Sequence, residues 1–135
     1  MATPKMVPAV FTERFDATRS FYLDRLGATP VLEDGDNYLQ VRFGTDDDRP
    51  ELAFCPPLPP ESPIGAQQAF TQGLLVSVPV DDADAYRKHL VERGLEVPEP
   101  TDKPWGWRSF LLTDPSGVTL DFYHVIADDQ RDAAS

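Results

Sequence analysis

Residues 38–43 alternate strictly: Leu39, Val41 and Phe43 are apolar, while Tyr38, Gln40 and Arg42 are polar. A period of two predicts a strand with one buried face. Residues 51–55 read the same way, with Leu52 and Phe54 on the core side. Residues 6–12 and 29–32 are short apolar runs, read as two further strands. Pro8 inside the first argues for an edge position or a chain crossover. Between these runs Phe15, Ser20, Phe21, Leu23 and Leu26 recur at near-helical spacing. A helix is therefore expected over 15–26, capped by Thr12 or Asp16 and ended at Gly27. Residues 33–37 (EDGDN) read as a turn and 45–49 (TDDDR) as a solvated loop.

Prolines at 56, 57, 59, 60 and 63 then interrupt the pattern. Such a run suits neither helix nor ladder, so 56–72 is expected to link two halves. Beyond it the order repeats. Residues 73–80 predict a strand, and 81–93 a helix with Asp81 or Asp82 as N-cap and Gly94 past its end. Residues 95–97 predict a sixth strand. Residues 98–104 form a proline-rich lead into a hairpin over 103–123, and 126–135 reads as a flexible tail. In the hairpin, Asp114-Pro115-Ser116-Gly117 has the chemistry of a type I turn closed by a glycine bulge. That register sets Phe110 opposite Phe122 and Leu112 opposite Leu120. Phe110, Leu112, Val118, Leu120 and Phe122 then share the core face. Trp107, Ser109, Leu111, Thr119, Asp121 and Tyr123 share the other.

The predicted class is α+β: two βαβββ modules, residues 1–55 and 73–125. The inference rests on element order, because the internal sequence identity is weak.

A length of 135 residues accommodates this core. The net charge of −11 makes nucleic acid a poor partner; it would draw in a cationic ligand, though for most of these carboxylates solubility is the favoured reading. No apolar run is long enough to span a bilayer, and the first residues lack a signal-peptide core, so no membrane association and a cytoplasmic location are expected. The single cysteine, Cys55, excludes an intrachain disulfide and reads as a small buried residue. His89 and His124 read as structural rather than metal-binding. There is no nucleophile–base pair, glycine-rich phosphate cradle or zinc motif.

Residues 7–28 (VPAVFTERFDATRSFYLDRLGA) resemble the opening of the vicinal-oxygen-chelate superfamily, in its glyoxalase/bleomycin-resistance/dioxygenase branch. Residues 79–97 (PVDDADAYRKHLVERGLEV) look like the same module repeated. Residues 103–123 (KPWGWRSFLLTDPSGVTLDFY) are similar to the second-module hairpin of bleomycin-binding proteins. The resemblance implies paired modules curled around a cavity, usually in a homodimer, and Pro8 lies where such proteins exchange an N-terminal strand. It also implies metal positions on particular strands, which fall here on Val7, Leu75, Asp121 and either Glu51 or Ala53. Val and Leu donate no lone pair, so neither a metal nor another cofactor is expected.

The residues expected to line the cavity are Tyr38, Gln40 and Arg42 from the third strand, and Trp107, Ser109, Asp121 and Tyr123 from the hairpin. Trp105 is placed at the cavity mouth. Flat rings stack planar ligands and attract cations. Asp121 and Glu51 suit a ligand ammonium, and Gln40 and Ser109 offer directional hydrogen bonds. Alternatively, Trp107 packs in an interface and Arg42 pairs with Asp121. The expected function is metal-free binding of an aromatic or cationic natural product or antibiotic, with no catalytic residue. The alternative is a metal-dependent lyase, isomerase or dioxygenase with a degenerate site completed by Asp121 and Glu51. A third reading is a regulatory domain with a vestigial cavity.

Overall fold

The computed structural model describes residues 4–127. Two compact units divide the chain: Met1–Gly73 with Asp114–Val118, and Leu74–Thr113 with Thr119–Ser135. Each carries one βαβββ module and one four-stranded mixed sheet. The tail expected over 126–135 lies, from residue 128 on, outside the described residues.

In the first unit β1 (Ala9–Phe11), β2 (Thr29–Asp34), β3 (Tyr38–Arg42) and β4 (Glu51–Cys55) form a sheet in the order β1-β4-β3-β2. β1 runs parallel to β4, and the other pairs are antiparallel. The alternation read in β3 holds: Leu39 and Val41 are buried, while Tyr38, Gln40 and Arg42 are half-buried. Leu39, Val41, Leu52, Phe54 and Val10 make the core face. The Tyr22 ring packs on it, 4.7 Å from Phe54 and 6.1 Å from Phe43.

The first helix departs from expectation. α1 covers only Phe15–Ser20, and Phe21–Arg25 continues as a π-helical turn. Leu26 N–H bonds the Phe21 carbonyl at 2.9 Å, five residues back, and Gly27 at φ +71° ends the segment. Neither Thr12 nor Asp16 caps it. Arg14 holds the cap position, and the Thr12 hydroxyl accepts from the Arg14 N–H at 2.9 Å. Thr12 therefore fixes the turn before the helix, not the helix start. The proline-rich stretch is also less open than composition suggested. Leu58 and Gln67 form an antiparallel bridge, and Phe70 N–H reaches the Phe11 carbonyl at 2.6 Å.

In the second unit β5 (Leu75–Pro79), α2 (Ala83–Glu92), β6 (Thr101–Asp102), β7 (Trp107–Thr113) and β8 (Thr119–Val125) follow in order. The sheet order is β5-β8-β7-β6, with β5 parallel to β8. The predicted hairpin register holds, with Phe110 opposite Phe122 and Leu112 opposite Leu120. Asp82 caps α2 by accepting from the Asp84 and Ala85 N–H groups, an interaction worth about 1 kcal/mol. His124 Nδ1 accepts from the Ala83 N–H at 2.8 Å, so this imidazole is structural. Tyr86 lies 5.0 Å from Phe122 and 6.2 Å from Phe110, joining α2 to the buried sheet face. Burying each such phenylalanine stabilises the unit by about 1.5–3 kcal/mol.

The sixth strand lies elsewhere than predicted. Thr101–Asp102 pairs with β7, and residues 95–97 do not. The Val97 carbonyl instead accepts from the Arg87 guanidinium at 3.0 and 3.1 Å, and Leu95 N–H bonds the Leu90 carbonyl. Val97 is buried. The apolar residues at 95–97 thus serve α2, and polar residues take the sheet edge.

Candidate functional site

The second sheet turns one face to α2, and its other face gathers the hairpin residues expected to bind. Register places Trp107, Ser109 and Leu111 of β7 beside Tyr123 and Asp121 of β8. Ser77 of β5 sits opposite Asp121. The Trp107 and Tyr123 rings stack, with centroids 3.7 Å apart and planes 10° apart. Both residues are half-buried. A register slip of one residue would separate these rings and send Asp121 into the core, where an unpaired carboxylate is costly.

Two oxygens beside this stack carry the chemistry. Among the described residues, Ser109 Oγ and Asp121 Oδ1 are buried without a hydrogen-bond partner. The residues themselves are 1% and 6% exposed, so water cannot freely supply the missing bonds. Asp121 Oδ2 has a long 3.4 Å contact from the Ser77 hydroxyl. Ser109 and Asp121 are diagonal neighbours on adjacent strands and share one sheet face. Buried acceptors of this kind favour an incoming N–H or O–H donor. Ser77 was missed in the sequence. The period-two reading of 73–80, set parallel to β8, was the signal that would have found it.

In the first unit the polar residues of β3 are linked to one another and to Glu51. Tyr38 donates to Gln40 Oε1 at 2.8 Å, and Gln40 Nε2 donates to Glu51 Oε1 at 2.6 Å. Arg42 Nε donates to Glu51 Oε2 at 3.0 Å, and its Nη2 lies 3.3 Å from Asp47. Lys5, which no local pattern singles out, completes the set at 3.2 Å from Glu51 Oε2. Desolvation pushes the Glu51 carboxyl up, but hydrogen bonds from Gln40, Lys5 and Arg42, with the Lys5 charge, hold it below its ordinary value. Glu51 is therefore matched by two cations from within the chain, Lys5 and Arg42. Arg42 likewise spends its charge on Glu51 and Asp47. Trp105 is exposed in the turn before β7, where Gly106 N–H bonds the Lys103 carbonyl at 3.0 Å.

Two open clefts of about 600 and 320 Å³ flank Thr12, Glu13 and Arg14 in the first unit. Neither is lined by any of the eight residues expected to bind. Among the described residues, no helix is long and apolar enough to cross a membrane.

Strand register bears on the metal positions implied by resemblance. Val10 pairs with Phe54 as Val78 pairs with Phe122, so Ala9–Ala53 in the first module is equivalent to Ser77–Asp121 in the second. The counterpart of Asp121 is Ala53, not Glu51. Val7, Ala53 and Leu75 offer no donor atoms, and one carboxylate does not make a transition-metal site. The residues present do not fit the metal. Among the described residues no group of three or more His, Cys, Asp or Glu side chains is placed to hold one.

Several solved structures share the fold. A lactoylglutathione lyase from Agrobacterium tumefaciens superposes with a TM-score of 0.69 at 22% identity, covering 90% of this chain and 92% of that one. An antibiotic-binding protein from Streptomyces sp. CB03234 gives 0.62 at 26% identity, covering 93% and 98%. A bleomycin-binding protein complexed with bleomycin gives 0.62 at 23% identity, covering 90% and 98%. No curated protein sequence matches this chain. The family model of the glyoxalase/bleomycin resistance protein/dioxygenase superfamily matches residues 7–122, and the chain belongs to that superfamily.

Proposed function

We propose that this protein is a metal-free binding protein that sequesters an aromatic or cationic natural product, as a homodimer in the cytoplasm. One observation carries the reading. A stacked indole–phenol pair stands on the same sheet face as two buried, unpartnered oxygens, Ser109 Oγ and Asp121 Oδ1. The rings offer a flat apolar surface with negative π-faces, suited to a planar or cationic group. The oxygens accept from a donor, and the Asp121 charge favours a cationic one. Trp105 contributes a further exposed ring just before the start of β7. The site has few polar groups, and each faces a distinct demand from a ligand. Two similar structures bear on the choice of ligand, one an antibiotic-binding protein and one a complex with bleomycin. Metal-dependent lyase, isomerase or dioxygenase chemistry has less support, because the positions it needs are Val7, Ala53 and Leu75.

Bleomycin is the first probe. Titration should quench tryptophan fluorescence saturably, and Trp107→Ala should remove most of the quench while leaving the far-UV circular dichroism unchanged. A saturable quench that survives in a folded Trp107→Ala variant would move the site elsewhere. The absence of any quench by bleomycin or by a panel of planar cations would overturn the binding reading.

A further inference from the structure

Lys5 does more than neutralise Glu51. Its ammonium donates to the backbone carbonyls of Asp47 and Arg49, the latter at 3.1 Å, and lies 3.2 Å from Glu51 Oε2. Three acceptors from one short stretch of chain thus converge on a single nitrogen. A tetrahedral ammonium has three N–H donors and matches this cup, whereas a planar guanidinium presents its donors as a fork. The acceptors come from the β3–β4 loop and the start of β4. The cation comes from residues 4–8, which have no regular secondary structure and are flanked by Pro4 and Pro8.

We propose that the cup formed by the Asp47 and Arg49 carbonyls and the Glu51 carboxylate is an exchangeable primary-ammonium site, and that Lys5 is its internal, displaceable occupant. Residues 4–7 are then a strap held shut by one side chain. Pro8 is anchored independently, because its carbonyl accepts from the Ala53 N–H at 2.9 Å. Opening the strap therefore need not unpair β1 from β4. Nor does it strand a buried charge: Glu51 keeps Arg42 at 3.0 Å and Gln40 at 2.6 Å when Lys5 leaves. The Lys5 side chain is 19% exposed, so a competing amine reaches the cup from solvent. The ligand class is a small alkylammonium, and its apparent affinity is reduced by the fraction of time Lys5 occupies the cup.

The test uses the full chain and two probe cations. Amide resonances of Asp47, Arg49 and Glu51 are followed while n-butylammonium chloride is added at constant ionic strength, with tetramethylammonium chloride as a cation lacking N–H donors. In Lys5→Met these amides should shift saturably with butylammonium and not with tetramethylammonium. Wild type should need about tenfold more amine for the same shift. Should Lys5→Met fail to fold, Lys5→Arg keeps the charge but fits the cup poorly, and it should also bind butylammonium more tightly than wild type. Equal responses to both cations would overturn the proposal, and so would equal affinities in wild type and the folded variant. The readout lies in residues 47–51, so it is independent of the tryptophan quench that tests the ligand site.

Discussion

The Tyr22 hydroxyl donates to Asp114 Oδ2 at 2.5 Å, linking residues 92 positions apart in sequence. Asp114 spends its other oxygen on the turn that joins β7 to β8, accepting from Ser116 N–H, Ser116 Oγ and Val118 N–H. One carboxylate thus organises its own turn and anchors the ring at the centre of the first core. Tyr22→Phe leaves Oδ2 without that donor and should cost about 2 kcal/mol. Urea unfolding should show a lower midpoint with an unchanged slope. The same residue sets an alkaline limit. Burial, then the Asp114 charge and hydrogen bond, raise the Tyr22 pKa well above its ordinary value. A raised folded-state pKa contributes stability that is present below the unfolded value, near pH 10, and is lost as pH rises beyond it. Wild type should therefore lose stability above about pH 10, and Tyr22→Phe should lose less of it over that range.

Gly117 is a second fixed point of the turn. Its φ of +100° is one that side chains avoid, and a Cβ there would lie 2.0 Å from the Thr71 carbonyl oxygen. Neither atom is the end of a flexible side chain, so relief requires backbone movement. Gly117→Ala should destabilise by roughly 3 kcal/mol or more. Gly35→Ala is the control, since Gly35 also has positive φ but nothing within 4 Å of its Cβ position. Its cost should stay near 1 kcal/mol. Thermal melts of the two variants side by side separate conformational strain from collision. Equal losses would show that Thr71 yields.

Asp121 should show opposite effects on stability and binding. Its Oδ1 is buried and unpartnered, so Asp121→Asn removes an uncompensated charge without changing shape. Stability should hold or rise slightly. Affinity for a cationic ligand should fall by about 1.5–3 kcal/mol, roughly ten- to a hundredfold, through loss of a charge-assisted bond. Urea midpoints and fluorescence titration on the same preparation check both. A variant that loses stability and keeps affinity would make Asp121 structural.

Glu51 governs the acid side. Its depressed pKa means that the carboxylate contributes stability above the unfolded value near pH 4.3, and that this is lost as pH falls through the folded value. Glu51→Gln should lower the melting temperature at pH 7, where Lys5 and Arg42 lose their shared anion. The gap between variant and wild type should shrink as the pH falls below about 4. A gap independent of pH would assign the effect to packing alone.

Local chemistry made much of this protein legible before any coordinates. Period-two alternation placed β3, β4 and the two faces of the hairpin. Asp-Pro-Ser-Gly fixed the hairpin register, because turn type and loop length leave little choice. Repeated element order showed two modules. These features are set by residues within a few positions of one another, and sequence reads them directly. Tertiary structure decided which polar groups meet across long separations. Nothing near Lys5 or Glu51 announces their pairing. Residues 95–97 look like a strand, yet Arg87 claims the Val97 carbonyl for α2 and leaves the sheet edge to Thr101 and Asp102. Only parallel pairing made Ala53, rather than Glu51, the counterpart of Asp121. A charge finds its partner by three-dimensional distance and desolvation, and neither is written in the local order of residues.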